Sequence, residues 1–211
     1  MPAKRIHLVR HGEVHNPGGV LYGRLPHFHL SELGQEMAKE AAKQLKLMAP
    51  DVKAIFCSPL VRTQESAKPI EEIFGLDAKT DEDLIEPYNV FEGGKLSVKA
   101  IATRPQWWWH FRNPAKPAWG ESFKDIITRM HSAIIQAADS VLDGDVVLVT
   151  HQLPIWVMHL SANGEKLMHD PRKRRCALSS ITSFEIHDGK LVEVGYLDPA
   201  ANLASIDKGA V

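Results

Sequence analysis

Three apolar runs in this chain each end in residues able to meet an anion. Ile6-His7-Leu8-Val9 leads into Arg10-His11-Gly12-Glu13, Val52 to Phe56 leads into Cys57-Ser58-Pro59 and then Arg62, and Val146-Val147-Leu148-Val149 leads into Thr150-His151. Two arginines and two histidines brought face to face would repel one another unless an anion sat between them. A phosphoryl group fits that requirement, because an arginine fork binds its oxygens in pairs and keeps its charge. A neutral imidazole is also a nucleophile able to form a covalent intermediate. Taken singly, each feature has a plainer explanation. Arg10-His11 reads equally well as a strand end turning its charges to solvent, and Arg62 as a solvated arginine. No Walker-type loop is present, and no His or Cys spacing suggests zinc.

The elements that must position these residues follow from patterning. Short continuous apolar runs suit buried parallel strands, and ligands in open α/β sheets gather at the carboxyl ends of such strands. After the first strand, residues 15–29 form a polar loop containing Gly and Pro, long enough to suggest function; Asn16 and Arg24 on it are within reach of a bound anion. Ser31 opens a helix with Gln35 and Glu36 as capping partners, and Leu33, Met37, Ala41, Leu45 and Met48 form its buried face. Pro59 suits the first turn of the next helix, which places Arg62 at that helix's start, where backbone N–H groups favour anions. Phe123, Ile126, Ile127, Met130, Ile134 and Ala137 share a face of a long helix closed by Gly144. A helix from Pro154 to about Ala162 follows. His187-Asp188-Gly189-Lys190 is a hairpin turn between two strands.

Other segments carry weaker signals. Asp81 to Asp83 reads as a solvated loop, whereas Glu86, between Ile85 and Pro87, reads as partly buried. Residues 97–112 look helical and include Trp107-Trp108-Trp109-His110-Phe111-Arg112, a packing anchor by composition, although such a cluster can also cap a pocket. The basic run Arg172 to Arg175 reads as a solvated face. At 211 residues, with 44% hydrophobic and 24% charged residues, one domain suffices. A formal net charge of −1 gives no global field favouring nucleic acid or a membrane surface. Cys57 and Cys176 are read as reduced thiols, and no signal-peptide or membrane-spanning run stands out, so a cytoplasmic protein is expected.

In family order, these motifs resemble those of the histidine phosphatase superfamily, the phosphoglycerate-mutase-like clan, on its phosphatase branch. The Arg-His-Gly-Glu motif matches Arg10-His11-Gly12-Glu13, and Ser-Pro-Leu-x-Arg-Thr-x-x-Ser/Thr-Ala matches residues Ser58 to Ala67. Leu-x-Glu with a following Glu-Gly matches Leu84-Ile85-Glu86 and Glu92-Gly93, Gly-Glu-Ser matches Gly120-Glu121-Ser122, and the strand-terminal His matches His151. The resemblance implies a three-layer α/β/α fold with a mostly parallel central sheet and a small helical insertion over the active site. It places a single domain over residues 1–198, with the insertion at about 85–120 and a fraying tail at 199–211. It also implies that His11 becomes phosphohistidine, that Arg10, Arg62 and His151 hold the phosphoryl oxygens, and that Glu86 is general acid and then base. Asn16 is a lesser candidate for a phosphate contact, and Tyr22, Arg24, Tyr88 and the Trp107–Arg112 segment are candidates for touching substrate.

No metal or organic cofactor is implied. The expected partner is a small phosphorylated metabolite, not nucleic acid or membrane, and a homodimer stays open. Three departures bear on substrate. His15 precedes Asn16 where the mutase branch has Trp, Gln152 follows His151 where the family often has Gly, and Asn89 stands where many relatives have Gly ahead of the Glu-Gly pair. The leading expectation is a metal-independent phosphomonoesterase. A phosphoglycerate-type mutase is the alternative, and a non-catalytic phospho-ligand binding module comes third.

Overall fold

The computed structural model describes residues 3–95 and 120–203. Six strands form one sheet in the order β3-β2-β4-β1-β5-β6: β1 Arg5–Arg10, β2 Val52–Cys57, β3 Ala78–Thr80, β4 Asp145–Thr150, β5 Ile181–His187 and β6 Lys190–Leu197. β1 to β4 are mutually parallel, and the β5–β6 hairpin runs antiparallel along β1. In chain order the helices among the described residues are α1 Glu32–Met48, α2 Val61–Phe74, α3 Phe123–Asp139 and α4 Gln152–Ala162.

Strand β4 shows how sequence builds the layers. Its side chains alternate between the two faces of the sheet. Val146 and Leu148 join Ile6 and Leu8 against α3 and α4, through Ile126, Met130, Ile134 and Ile155. Val147 and Val149 join Val9 and Ile55 against α1 and α2, through Ala41, Leu45, Ala67 and Ile70. Each such side chain, fully buried, contributes roughly 1.5–3 kcal/mol. The apolar run of β4 is therefore continuous because both faces are covered, and the result is the expected three-layer fold. No helix among the described residues is long and apolar enough to cross a membrane.

Several local expectations need correction. Ser31 does cap α1, accepting from Gly34 N at 2.9 Å, but its partner is Glu13 and not Gln35 or Glu36: the Ser31 hydroxyl donates to Glu13 Oε2 at 2.5 Å. Pro59 lies ahead of the α2 cap residue Leu60, so the helix starts two residues later than a proline-led first turn would place it. Helix α3 ends at Asp139, before Gly144. Gly144 instead adopts a positive φ of 78° where the chain enters β4 beside the Asp51 carbonyl, a space that a Cβ would fill. The tail is held at its beginning, since Ala200 is buried against Met37 and Leu178. The Trp107–Arg112 segment and most of the expected insertion lie outside the described residues. The hairpin is as expected, with Asp188 and Gly189 both at positive φ, as a tight two-residue turn requires.

Candidate active site

Strands β2, β4 and β1 are neighbours, so their carboxyl ends, Cys57-Ser58, Thr150-His151 and Arg10-His11, meet at one edge. Backbone bonds extend the sheet just past the strands: Ser58 N donates to Val149 O at 3.0 Å, and His11 N to Thr150 O at 3.1 Å. Two helices begin at this edge. Arg62 lies in the first turn of α2, and His151 is the cap residue of α4; neither helix has a side-chain cap bond. Their N-terminal dipoles therefore add positive potential at the strand ends.

The turn after β1 is wedged tightly. Gly12 N donates to Ser66 Oγ at 3.1 Å. A Cβ at Gly12 would run into the Gly34 carbonyl oxygen, and one at Gly34 into the Glu13 carbonyl oxygen. Glycine at both positions lets β1's end and the start of α1 touch backbone to backbone, while Glu13 is used up in holding Ser31. Gly12 and Glu13 thus fix the position of His11 and need not touch a ligand themselves.

The solvent reading of Arg10-His11 is overturned: Arg10 and His11 are buried, as are Arg62 and His151. His11 Nδ1 lies 2.8 Å from Gly12 O, and a carbonyl can only accept, so Nδ1 carries the proton and Nε2 keeps its lone pair. Burial, then Arg62, then Arg10 hold the His11 pKa well below the ordinary imidazole value. The ring is neutral and nucleophilic at neutral pH. His151 stands beside it, with ring centroids 5.3 Å apart. Arg62 Nη2 donates to His151 Nδ1 at 3.3 Å, which leaves His151 Nε2 to donate to Ser58 Oγ at 2.8 Å. Burial first and then Arg62 hold His151 neutral as well. A bound phosphoryl dianion would work against both depressions, since it favours the charged ring.

The arginines are aimed by carbonyls and rings. Arg10 Nη1 donates to Cys176 O at 2.5 Å, and Arg62 Nη2 donates to Gly23 O at 2.6 Å. The Arg62 guanidinium lies 4.9 Å above the Tyr22 ring, which in turn stacks on Phe28 at 5.3 Å and meets His11 edge-on at 6.4 Å. Arg62 Nε and Nη1 are buried and have no hydrogen-bond partner among the described residues. A buried guanidinium with two unused N–H groups is costly unless an acceptor completes it.

Glu86 closes the site from the loop after β3. Its Oε2 lies 3.6 Å from His151 Nδ1, with 14% of its side chain exposed. Burial raises its pKa above the usual carboxylate value, outweighing the opposing pull of Arg62, Arg174, Arg129 and Arg10. Its backbone carbonyl accepts from Arg24 Nε at 2.5 Å. Thr150 Oγ1 anchors the same loop at Leu84 O, 2.6 Å away. Glu121, from the Gly-Glu-Ser segment, takes Arg129 in a two-point pair at 2.7 and 2.9 Å, and Arg129 Nη1 also donates to Asp83 O.

The expected residues fall into two groups. His11, His151, Arg10, Arg62, Glu86 and Tyr22 converge. Asn16 spans its own loop instead, donating to Val20 O at 2.8 Å and accepting from Val20 N at 3.2 Å, and Arg24 is committed to Glu86 O and lies 3.6 Å from Glu121. Tyr88 is exposed. Sequence reasoning missed the part played by Ser58, which was legible only as a motif letter. It also missed Arg174, concealed in the basic run: Arg172 is solvated, whereas Arg174 is partly buried and close enough to Glu86 to affect its carboxyl. Cys176 contributes its carbonyl, while burial pushes its thiol up to about 11 and leaves it unreactive.

A family model described as histidine phosphatase superfamily (branch 1) matches residues 6–199. An uncharacterised Mycobacterium tuberculosis protein, Rv0525, is 49% identical over 199 residues, covering 93% of this chain and 97% of that protein. An acid phosphatase of Mycobacterium tuberculosis is 30% identical over 160 residues, 70% of each chain. Among solved structures, mycobacterial glucosyl-3-phosphoglycerate phosphatase in complex with VO3 superimposes with a TM-score of 0.75 at 25% identity, covering 90% of this chain and 97% of that one.

Proposed function

The chain belongs to the histidine phosphatase superfamily, branch 1, and from that premise we propose that it is a metal-independent phosphomonoesterase acting on a small phosphate ester through a phosphohistidine on His11. The observation that carries this reading is the Arg62 guanidinium, buried beside His11 with Nε and Nη1 unpartnered among the described residues. A tetrahedral oxyanion satisfies both donors.

In the first step His11 Nε2 attacks phosphorus as the bond to the ester oxygen breaks. Arg10, Arg62 and the two helix N-termini take up the charge on the equatorial oxygens, the largest task in phosphoryl transfer. Glu86, kept protonated to higher pH than an exposed carboxyl, gives its proton to the departing alkoxide. In the second step Glu86, now a carboxylate, takes a proton from water. That water attacks phosphorus, the N–P bond breaks, and phosphate leaves with His11 neutral again. His151 orients Arg62 by accepting from its Nη2 at Nδ1.

The test is a panel of metabolite esters assayed with the EDTA-treated protein, beside His11→Ala. The reading predicts strong release of phosphate that EDTA spares and His11→Ala abolishes, while the variant keeps its fold. Turnover surviving in His11→Ala overturns it. A mutase would instead move phosphate within one substrate only when primed by a bisphosphate.

A further inference from the structure

The turn that leads into β5 wraps the end of β1. Arg10 N donates to Ser180 O at 3.1 Å, and Ser179 N donates to His11 O at 3.3 Å. Ser179 takes a left-handed φ of 57° in making this turn, an uncommon conformation for a residue with a side chain. The Arg10 guanidinium meets the same turn, donating through Nη1 to Cys176 O at 2.5 Å. A guanidinium is planar and rigid, so a carbonyl that fixes one of its nitrogens fixes the direction of the whole fork. The place of the Cys176 carbonyl therefore sets where Arg10 points.

That carbonyl is half of a peptide group whose other half is the Ala177 N–H, and the group is planar. Ala177 N donates to the Tyr196 hydroxyl at 3.1 Å. One rigid plane thus has Tyr196 of β6 at one edge and Arg10 at the other. The residue before it is held by the same strand. Arg175 Nη2 donates to Glu193 Oε1, and the Arg175 guanidinium lies 4.6 Å from the centre of the Tyr196 ring. Glu193 is itself fixed by His159 Nδ1 from α4. A looser brace comes from Gln152, which accepts from Arg174 Nη1 at 3.3 Å and reaches Cys176 O through Nε2 at 3.5 Å.

We propose that Tyr196 is a positioning residue for phosphoryl transfer: its hydroxyl fixes the Cys176–Ala177 peptide, and that peptide aims Arg10 at the transferring group. Arg175, clamped between Glu193 and the Tyr196 ring, supports the same peptide. The inference rests on the phosphomonoesterase reading and makes the edge strand β6 part of the support of the site. Because the effect of Tyr196 passes through Arg10, it is greatest in the transition state, where charge on the phosphoryl oxygens is greatest.

The experiment compares wild type, Tyr196→Phe, Arg175→Ala and Arg175→Lys on an aryl ester and on the best alkyl ester of the panel. Orthovanadate serves as competitive inhibitor, and thermal unfolding gives the folded fraction. Tyr196→Phe keeps the ring beneath Arg175 and removes only the acceptor. It should lower kcat by about tenfold on both esters with little change in KM. It should also raise the vanadate inhibition constant by about tenfold, because five-coordinate vanadate needs the Arg10 fork as the transition state does. Arg175→Ala should show a smaller shift of the same kind, and Arg175→Lys, which keeps a cation for Glu193 and the ring, should restore most of it. A merely structural role would lower kcat only in proportion to the folded fraction and leave the vanadate constant unchanged. That result, or no loss in Tyr196→Phe, or a loss confined to the alkyl ester, overturns the inference and leaves the phosphatase reading standing. Wild type releasing phosphate from no ester in the panel overturns both.

Discussion

Arg62 and Glu86 carry the residue-scale account, because burial acts on them in opposite senses. Arg62 stays charged despite burial, which makes it a preset electrostatic partner for the transferring group. Arg62→Ala is expected to lower kcat/KM by roughly 10³-fold. Arg62→Lys should recover only a fraction, since a point charge cannot supply the fork. Steady-state kinetics on one ester, with melting curves alongside, check both. Glu86 is held protonated above its usual range and His11 unprotonated below its own. With an alkyl ester, kcat/KM should therefore fall on the acid side as His11 gains a proton, and on the alkaline side as Glu86 loses one. Glu86→Gln should remove the alkaline limb and slow alkyl esters by about 10²–10⁴-fold. Aryl esters, whose leaving groups need little protonation, should lose far less. Equal losses on both ester types would take Glu86 out of the acid role.

At the scale of elements, the site depends on close approach between the β1 turn and the start of α1. Gly34→Ala would push a Cβ into the Glu13 carbonyl, so it should cost about 1–3 kcal/mol in denaturant unfolding. Because the displaced turn carries His11, kcat should fall more than KM rises. The strands that end in chemistry were legible in sequence, since a parallel strand covered on both faces must be an unbroken apolar run, as Val146 to Val149 is. Gly34 was not legible as a contact. It lies inside a good amphipathic pattern, and nothing local reveals that a backbone from another element rests on it. The same limit explains Ser31, whose partner Glu13 comes from across the turn and not from the residues that follow it.

For the whole molecule, a buried cluster of arginines and neutral histidines links stability to ligand and to pH. Inorganic phosphate, binding the folded state alone, should raise stability by about 2.7 kcal/mol at a hundred times its Kd. Arg62→Ala should largely abolish that gain in a thermal-shift titration. Folded His11 and His151 resist protons that the unfolded chain accepts near the ordinary imidazole value of 6.5. Their contribution is complete above that pH, and stability declines as pH falls below it. Melting without phosphate should show that decline between about pH 7.5 and about pH 5.5. The three-layer architecture and the meeting of His11, Arg62 and His151 could be read from where apolar runs stop. Arg174 could not, because one charged run holds both solvated and inward-facing members, and only tertiary partners such as Gln152 distinguish them.

The most direct measurement is rapid quenching of the protein with a turned-over ester, followed by mapping of any transferred phosphoryl group. The account predicts an acid-labile phosphoryl group on the peptide containing His11. It should accumulate in Glu86→Gln given an aryl ester, where water is no longer activated, and it should be missing from His11→Ala. Steady turnover with no phosphoryl group on His11, under conditions where Glu86→Gln should trap it, would contradict the account.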